Sequence, residues 1–153
     1  MKKLAEVTLE SDEAEVVFEN IPQEYRKLQV YLEPVASSTG SLETDFNEDA
    51  SNTETYNLRW DDSISTTVSS SLRTGVAFSE ADGPAAFTME IEGYSNNDFK
   101  TTTRIVSTEA DIERANIQQG WKDDSAIVST ITIRFAGSSV FEPDSKFVLY
   151  GVL

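Results

Sequence analysis

Apolar and polar residues alternate over several short stretches of this chain, most clearly towards its C-terminal end. Between residues 127 and 135 the odd positions are mostly apolar, from Ile127 to Phe135, while the even positions from 130 onwards are polar. Successive side chains leave a β-strand on opposite sides, so this alternation predicts a strand with one buried face. We therefore expect the stretch 121–135 to organise the domain.

The last residues, 147–153, also alternate, but both sides of this segment are apolar. Phe147 and Leu149 would lie on one side, and Val148 and Tyr150 on the other. This pattern is typical of a strand that is buried on two faces or covered by another subunit. We expect the segment to return to the neighbourhood of 121–135.

Polar loops and turns divide the rest of the chain into further short segments. We predict strands at residues 4–9, 15–18, 28–35, 42–46, 55–60, 87–94 and 100–107. Residues 64–80 are rich in serine, threonine and β-branched side chains and favour extended structure or a long loop over a helix. Capping residues and good helix formers predict at most one short helix, near 108–118.

The number and spacing of these segments indicate the fold class. About eight to ten short strands without a repeated βα unit predict an all-β domain, either an antiparallel β-sandwich or a closed barrel. A chain of 153 residues fits a single domain, 1–153, which can bury roughly 70% of its unfolded surface. Residues 1–12 could extend from it as an N-terminal arm.

The chain contains neither cysteine nor histidine, which excludes several kinds of chemistry. Disulfides, thiolate metal sites, zinc centres and serine–histidine catalysis are all excluded. An enzyme would have to rely on carboxylates, lysine or tyrosine alone. We therefore expect no enzymatic activity, no catalytic residue and no cofactor.

The chain is strongly acidic, with 27 acidic and 12 basic residues and a net charge of -15. Such a surface repels phosphate backbones and anionic lipids, so we expect neither nucleic-acid nor membrane partners. The charge favours solubility; a second interpretation is that it keeps identical subunits apart until they meet a basic partner. Acidic residues follow Lys2 and Lys3 at once, so we expect no signal peptide and synthesis in the cytoplasm.

One acidic segment resembles the start of a calcium-binding loop. Asp45 and Asp49 flank other oxygen-bearing side chains, but Ala50 and Tyr56 stand where an EF-hand requires glycine and glutamate. A looser calcium site that includes Glu48 is the alternative to a solvated acidic loop, which we favour. No metal ligand is predicted.

Paired carboxylates and aromatic residues offer two further candidates. Glu90 and Glu92 share one strand face, where solvent exposure is a simpler interpretation than glycoside hydrolysis. Aromatic side chains could form a sugar-stacking platform, although the apolar periodicity around several of them favours the core or an interface. These are Tyr25, Tyr31, Tyr56, Trp60, Tyr94, Trp121 and Tyr150.

An ordered set of segments resembles a group of small virion proteins of tailed bacteriophages, over residue 16 to the C-terminus. In that group the central strand begins near a tryptophan and the chain closes on a Leu-Tyr-Gly ending. The matching segments here are 18–28, 45–56, 91–101, 121–127, 131–133 and 145–151. The chain departs from the pattern at 48–50, where a glycine-containing turn is common, and at 107–119, which has the character of an insertion.

The resemblance implies a jelly-roll-like β domain in the virion, of a kind that often forms trimers. The leading hypothesis is therefore a capsid decoration (cement) protein that binds itself, as a homotrimer, and the major capsid protein or another virion protein. The alternative is a carbohydrate-binding or receptor-binding β-sandwich of a tail or fibre. Four aromatic residues are the predicted interface: Tyr25, Trp121, Phe147 and Tyr150.

Overall fold

The computed structural model describes residues 1–38, 40–48, 53–59, 64–69, 72–77, 86–96, 100–106, 116–122 and 126–153. These residues form twelve β-strands and contain no helix, which confirms the all-β class. The strands are β1 (Lys2–Thr8), β2 (Glu15–Phe18), β3 (Lys27–Glu33), β4 (Gly40–Phe46), β5 (Thr53–Arg59), β6 (Ile64–Ser69), β7 (Leu72–Ala77), β8 (Phe87–Glu92), β9 (Lys100–Val106), β10 (Asn116–Lys122), β11 (Ile131–Phe135) and β12 (Lys146–Val152).

The strands form two sheets in which every neighbouring pair is antiparallel. The larger sheet has the order β1-β12-β3-β8-β9-β10-β5-β6, and the smaller sheet has the order β2-β11-β4-β7. Strands far apart in sequence are neighbours in both sheets, since β1 pairs with β12 and β2 pairs with β11. The chain is therefore wrapped as a whole and is not a series of local hairpins.

Eight of the strands follow the order of a jelly roll. β1-β12-β3-β8 and β2-β11-β4-β7 are the two four-stranded sheets that result when one long antiparallel hairpin is rolled up. The pairs β5–β6 and β9–β10 are insertions that extend the larger sheet beyond β8. The expected antiparallel, jelly-roll-like sandwich is thus confirmed.

The strand count and the predicted helix need correction. Residues 64–80, expected as extended structure or a long loop, contain β6 and β7, so the described part of the chain exceeds the predicted eight to ten strands. The last residues of the predicted helix, 116–118, lie in β10. The remainder of that helix, 108–115, lies outside the described residues.

The core lies between the two sheets and follows the period-two pattern of the strands. In β3, Leu28, Val30 and Leu32 are buried, and the residues between them are half-buried or exposed. Fully burying one such side chain contributes about 1.5–3 kcal/mol, so alternation of this kind fixes which face of each strand points inwards. A contact of 3.8 Å between Thr44 Oγ1 and Met89 Sδ crosses from the smaller sheet to the larger.

One corner of the sandwich is closed around Phe141. Its backbone forms isolated bridges with Glu13 and Ala36, so three chain turns meet at this residue. Its ring lies 4.7 Å from that of Phe135 and 5.0 Å from that of Phe147, measured between centroids. The C-terminal segment therefore does approach β11, but through this aromatic cluster; its strand neighbours are β1 and β3.

The stretch 121–135 is not one strand. Trp121 belongs to β10 in the larger sheet, and β11 begins only at Ile131 in the smaller sheet. Ile127 is 42% exposed and Val128 is fully buried, so the alternation expected from residue 127 is wrong before residue 131. Separate backbone bonds and side-chain hydrogen bonds from other loops, rather than a strand ladder, hold residues 127–130.

The start of the chain joins the larger sheet. Residues 2–8, considered as part of an arm, form the edge strand β1. Leu4, Ala5 and Val7 pack against the core and are partly buried.

Candidate interaction surface

The predicted interface residues do not lie together. Tyr25 is 5% exposed and Phe147 is fully buried, so both pack inside the chain. Trp121 lies in β10, and its side chain is outside the described part of the structure. Tyr150 is half-buried on the outer side of β12, and it is the one described member of the set that reaches the surface.

Tyr150 belongs to the outer face of the four strands β1, β12, β3 and β8, which we call the tyrosine face. These side chains alternate with the buried ones and so point away from the core. They are Lys3, Glu6, Thr8, Lys27, Gln29, Tyr31, Glu33, Thr88, Glu90, Glu92, Lys146, Val148, Tyr150 and Val152.

Apolar and aromatic side chains occupy the centre of the tyrosine face. Val148 is only 3% exposed although it is not part of the core cluster, and its cross-strand neighbours are Glu6 and Tyr31. Tyr150 and Val152 follow on the same side of β12 and are half-buried. The outer apolar side of β12 is thus partly covered by side chains of its own sheet and partly exposed to solvent.

Ion pairs surround this centre. Lys3 Nζ lies 2.5 Å from Glu6 Oε2, and Lys146 Nζ lies 3.4 Å from Glu6 Oε1. The hydrogen bond between Lys3 and Glu6 raises the pKa of the lysine and lowers the pKa of the carboxyl group. On β3 and β8, Lys27 Nζ lies 2.7 Å from Glu90 Oε2.

The tyrosine face is close to electrically neutral. Three lysines share it with four glutamates, in a chain whose net charge is -15. Most of the chain's excess negative charge therefore lies elsewhere.

The hydroxyl group of Tyr31 is already engaged within the chain. It donates a hydrogen bond of 2.6 Å to Glu33 Oε1. This bond, together with partial burial, raises the pKa of Tyr31 to about 12, so the phenol keeps its proton to a higher pH than an ordinary tyrosine does. The carboxylate thereby fixes the position of the ring at the surface.

Tyr25 and Tyr94 are part of the core and cannot form a sugar platform. The Tyr94 hydroxyl donates to Pro22 O at 2.8 Å and accepts from the Tyr25 backbone N–H at 3.1 Å. Burial raises the pKa of Tyr94. Of the aromatic residues proposed for such a platform, Tyr31 and Tyr150 are the ones whose described side chains share a surface.

Two of the three acidic residues of the looser calcium site, Asp45 and Glu48, lie in the described part of the structure. Asp45 is 4% exposed, and its Oδ2 lies 2.5 Å from Arg134 Nη1. Glu48 is exposed, and Asp49 lies outside the described residues. No group of three or more metal-ligating side chains occurs among the described residues. The partner of Asp45 was missed because Arg134 is distant in sequence and the register of β4 with β11 brings it near.

Comparison with known proteins identifies no relative: no protein family, no curated protein and no solved structure matches this chain. Within its described residues there is also no helix of the length and apolar character needed to cross a membrane.

Proposed function

We propose that this chain is a non-enzymatic structural protein of a bacteriophage virion, and specifically a capsid decoration protein. The observation that carries the proposal is the tyrosine face, a nearly neutral sheet surface with an aromatic and aliphatic centre and paired charges around it. Together with the jelly-roll order of the strands, it supports a protein whose task is to bind neighbouring subunits.

The composition of this surface suits protein–protein contact. Tyrosine is enriched in interfaces because one side chain supplies both apolar area and a hydroxyl group. The ion pairs form within the chain, so fewer side chains lose freedom when a partner binds. Binding by such a face requires no histidine, thiol or metal.

The test is the composition of purified particles. Mass spectrometry of virions grown from the source phage should detect this chain at a stoichiometry comparable to that of the capsid protein. Particles that lack it should lose their DNA at lower temperature, and addition of the purified chain should restore their stability. Its absence from intact particles would contradict the proposal.

A second function, carbohydrate binding, is favoured by one observation. Tyr31 and Tyr150 lie on the same exposed sheet face as the amide of Gln29, which is the cross-strand partner of Tyr150. Aromatic rings beside amide and carboxylate groups suit stacking and hydrogen bonding to sugars. A glycan array probed with the chain and with its Tyr150→Ala variant tests this; binding that the variant loses would support it, and an array without binding would reject it.

A further inference from the structure

We infer that the tyrosine face binds a second copy of this same chain, and that this self-association becomes stronger as the salt concentration rises. The inference rests on the proposed function and names the partner of the same surface. The inference follows from the distribution of charge, because the tyrosine face is nearly neutral and the rest of the chain is strongly acidic.

The distribution of charge favours a second copy of the chain as the partner of the tyrosine face. Each chain carries a net charge of -15, so two copies repel each other over most relative orientations. The tyrosine face is nearly neutral, with Glu6 held between Lys3 and Lys146 and Glu90 held by Lys27. Two copies therefore repel least when these faces meet. A basic partner would instead be attracted to the more acidic remainder of the surface.

The same face can complement itself. Most charges around Val148, Tyr150 and Val152 are paired within the chain, so the apolar centres of two copies can meet with little repulsion between their charges. The contact of identical patches is the geometry of a two-fold axis, the commonest symmetry of homo-oligomers. Tyr150 and Val152 are half-buried in the single chain and would become buried in the pair.

The size of the face sets the expected affinity. Four strands of about seven residues cover roughly 20 Å by 23 Å, or about 450 Å² on each copy. Two copies would bury on the order of 900 Å² in total, which is below the size of stable specific interfaces and typical of weak, transient association. We expect an association in the micromolar range that depends on protein concentration.

The experiment is sedimentation velocity on the full chain from about 1 to 200 μM, a range that brackets micromolar affinity. It is run at low salt and at about 0.5 M NaCl, where charges are screened within a few ångströms. The chain should be largely monomeric in low salt, and its average mass should rise with concentration in high salt. A chain that remains monomeric at the highest concentration in high salt would overturn the inference. A mass that falls with added salt would do so as well, because it indicates a contact held by opposite charges.

Two matched variants locate the contact. Val152→Asp adds a charge to the tyrosine face, and Val17→Asp adds the same charge to the outer face of the smaller sheet, where Val17 is 37% exposed. We expect Val152→Asp to weaken association at least tenfold and Val17→Asp to change it less than twofold. Equal effects of the two would reject the tyrosine face as the contact. Thermal unfolding of each variant confirms that both are folded, and Tyr150→Ser replaces Val152→Asp if that variant fails to fold.

The sedimentation experiment and the analysis of particles can each reject one proposal without rejecting the other. A chain found in virions but monomeric in solution under all conditions rejects self-association and leaves the structural role standing. A chain that associates through the tyrosine face but is missing from virions rejects the structural role alone.

Discussion

At position 151 the fold has room only for glycine. Gly151 lies in β12 beneath the ring of Tyr25, and a Cβ atom at this position would come within 2.5 Å of Tyr25 Cγ and Cδ2. Real Cβ atoms do not approach a ring this closely, so any side chain would displace Tyr25 or the strand. The sequence shows the glycine, but the register that places it under Tyr25 is visible only in the structure.

We predict that Gly151→Ala lowers the free energy of unfolding by about 1–3 kcal/mol, the usual cost of overpacking a core. Urea denaturation measures this change. The control is Gly137→Ala, because no heavy atom lies within 4 Å of a Cβ built there. It should stay within about 0.5 kcal/mol of the parent chain. Equal stability of the two variants would show that Tyr25 moves aside without cost.

Tyr31 gives a pH-dependent prediction. Its hydrogen bond to Glu33 and, to a smaller extent, its partial burial raise the pKa of the folded-state phenol from 10.0 to about 12. The unfolded chain loses this proton near pH 10, so the stabilisation is fully present below pH 10 and is lost as the pH rises from 10 to 12. NMR titration of the tyrosine ring carbons measures the pKa directly.

The Glu33→Gln variant distinguishes the effect of the hydrogen bond on the Tyr31 pKa from the effect of burial. We expect the pKa of Tyr31 to fall back towards its ordinary value, because the charged acceptor is gone. The pKa of Tyr94, which burial raises, should not change and is the internal control. A Tyr31 pKa that stays near 12 in this variant would assign the shift to burial instead.

Among the elements, the segment 126–130 is held by side-chain hydrogen bonds in addition to separate backbone bonds, such as that from Val128 N–H to Tyr94 O at 2.8 Å. Asn47 Nδ2 donates to Ile127 O at 2.7 Å, and Asn47 Oδ1 accepts from the backbone N–H groups of Ser129 and Thr130 at 2.8 and 3.1 Å. Gln23 Nε2 donates to Val128 O at 2.9 Å. These bonds replace the strand that the hydrophobic pattern predicted from Ile127, and they leave that residue exposed.

Replacing Asn47 by alanine should therefore release this segment. Asn47 has a φ of 55°, a left-handed conformation that asparagine tolerates better than alanine, so the variant loses both the bonds and the conformational preference. We expect a loss of about 2 kcal/mol in the free energy of unfolding and faster amide exchange at Ser129 and Thr130, whose N–H groups donate to Asn47.

Asn20→Ala is the matched control for this prediction. Asn20 has nearly the same φ, 54°, and is exposed, and its side chain forms no hydrogen bond with the described residues. The difference between the two variants isolates the contribution of the Asn47 hydrogen bonds. If both lose the same stability, conformation alone accounts for the effect.

The elements themselves were largely predictable from the sequence. Alternation located β3, β8 and β12, and the bounds of β2, Glu15–Phe18, coincide with the prediction. Where serine and threonine dilute the apolar pattern, as in β6 and β7, periodicity could not separate a strand from a loop. Contacts such as those of Asn47 and Asp45 depend on strand register, which no local pattern encodes.

For the whole molecule, the local sequence patterns could not predict the order of the strands in the two sheets. The apolar outer side of β12 indicated a covered strand, but the structure shows that Val148 lies among residues of its own sheet. The position of Tyr31 beside Tyr150 likewise follows from the pairing of β3 with β12. Of the surface that we propose as the binding site, the sequence therefore predicted Tyr150 but not the neighbours that surround it.

The position of β12 between β1 and β3 leads to a prediction for the intact domain. A chain that ends at Ser145 lacks this strand, so β1 loses its only partner among the described strands, β3 keeps only β8, and Phe147 and Leu149 are removed from the core. We expect it to show no cooperative thermal unfolding by circular dichroism. A chain that ends at Val152 lacks only Leu153, which is 83% exposed, and should unfold like the parent. Cooperative unfolding of the shorter chain would refute the central role of β12.

The pairing of β1 with β12 also has a mechanical consequence. Lys2 lies opposite Gly151, so the first and last strands run side by side and leave the sheet at the same end. A pulling force applied between these two residues would open the hydrogen bonds one after another, as a zipper opens, and would meet little resistance. A load that enters across the broad sheet surface would instead be shared by many bonds at once. A protein of this architecture withstands tension when it is held by its surface and yields when it is held by its ends.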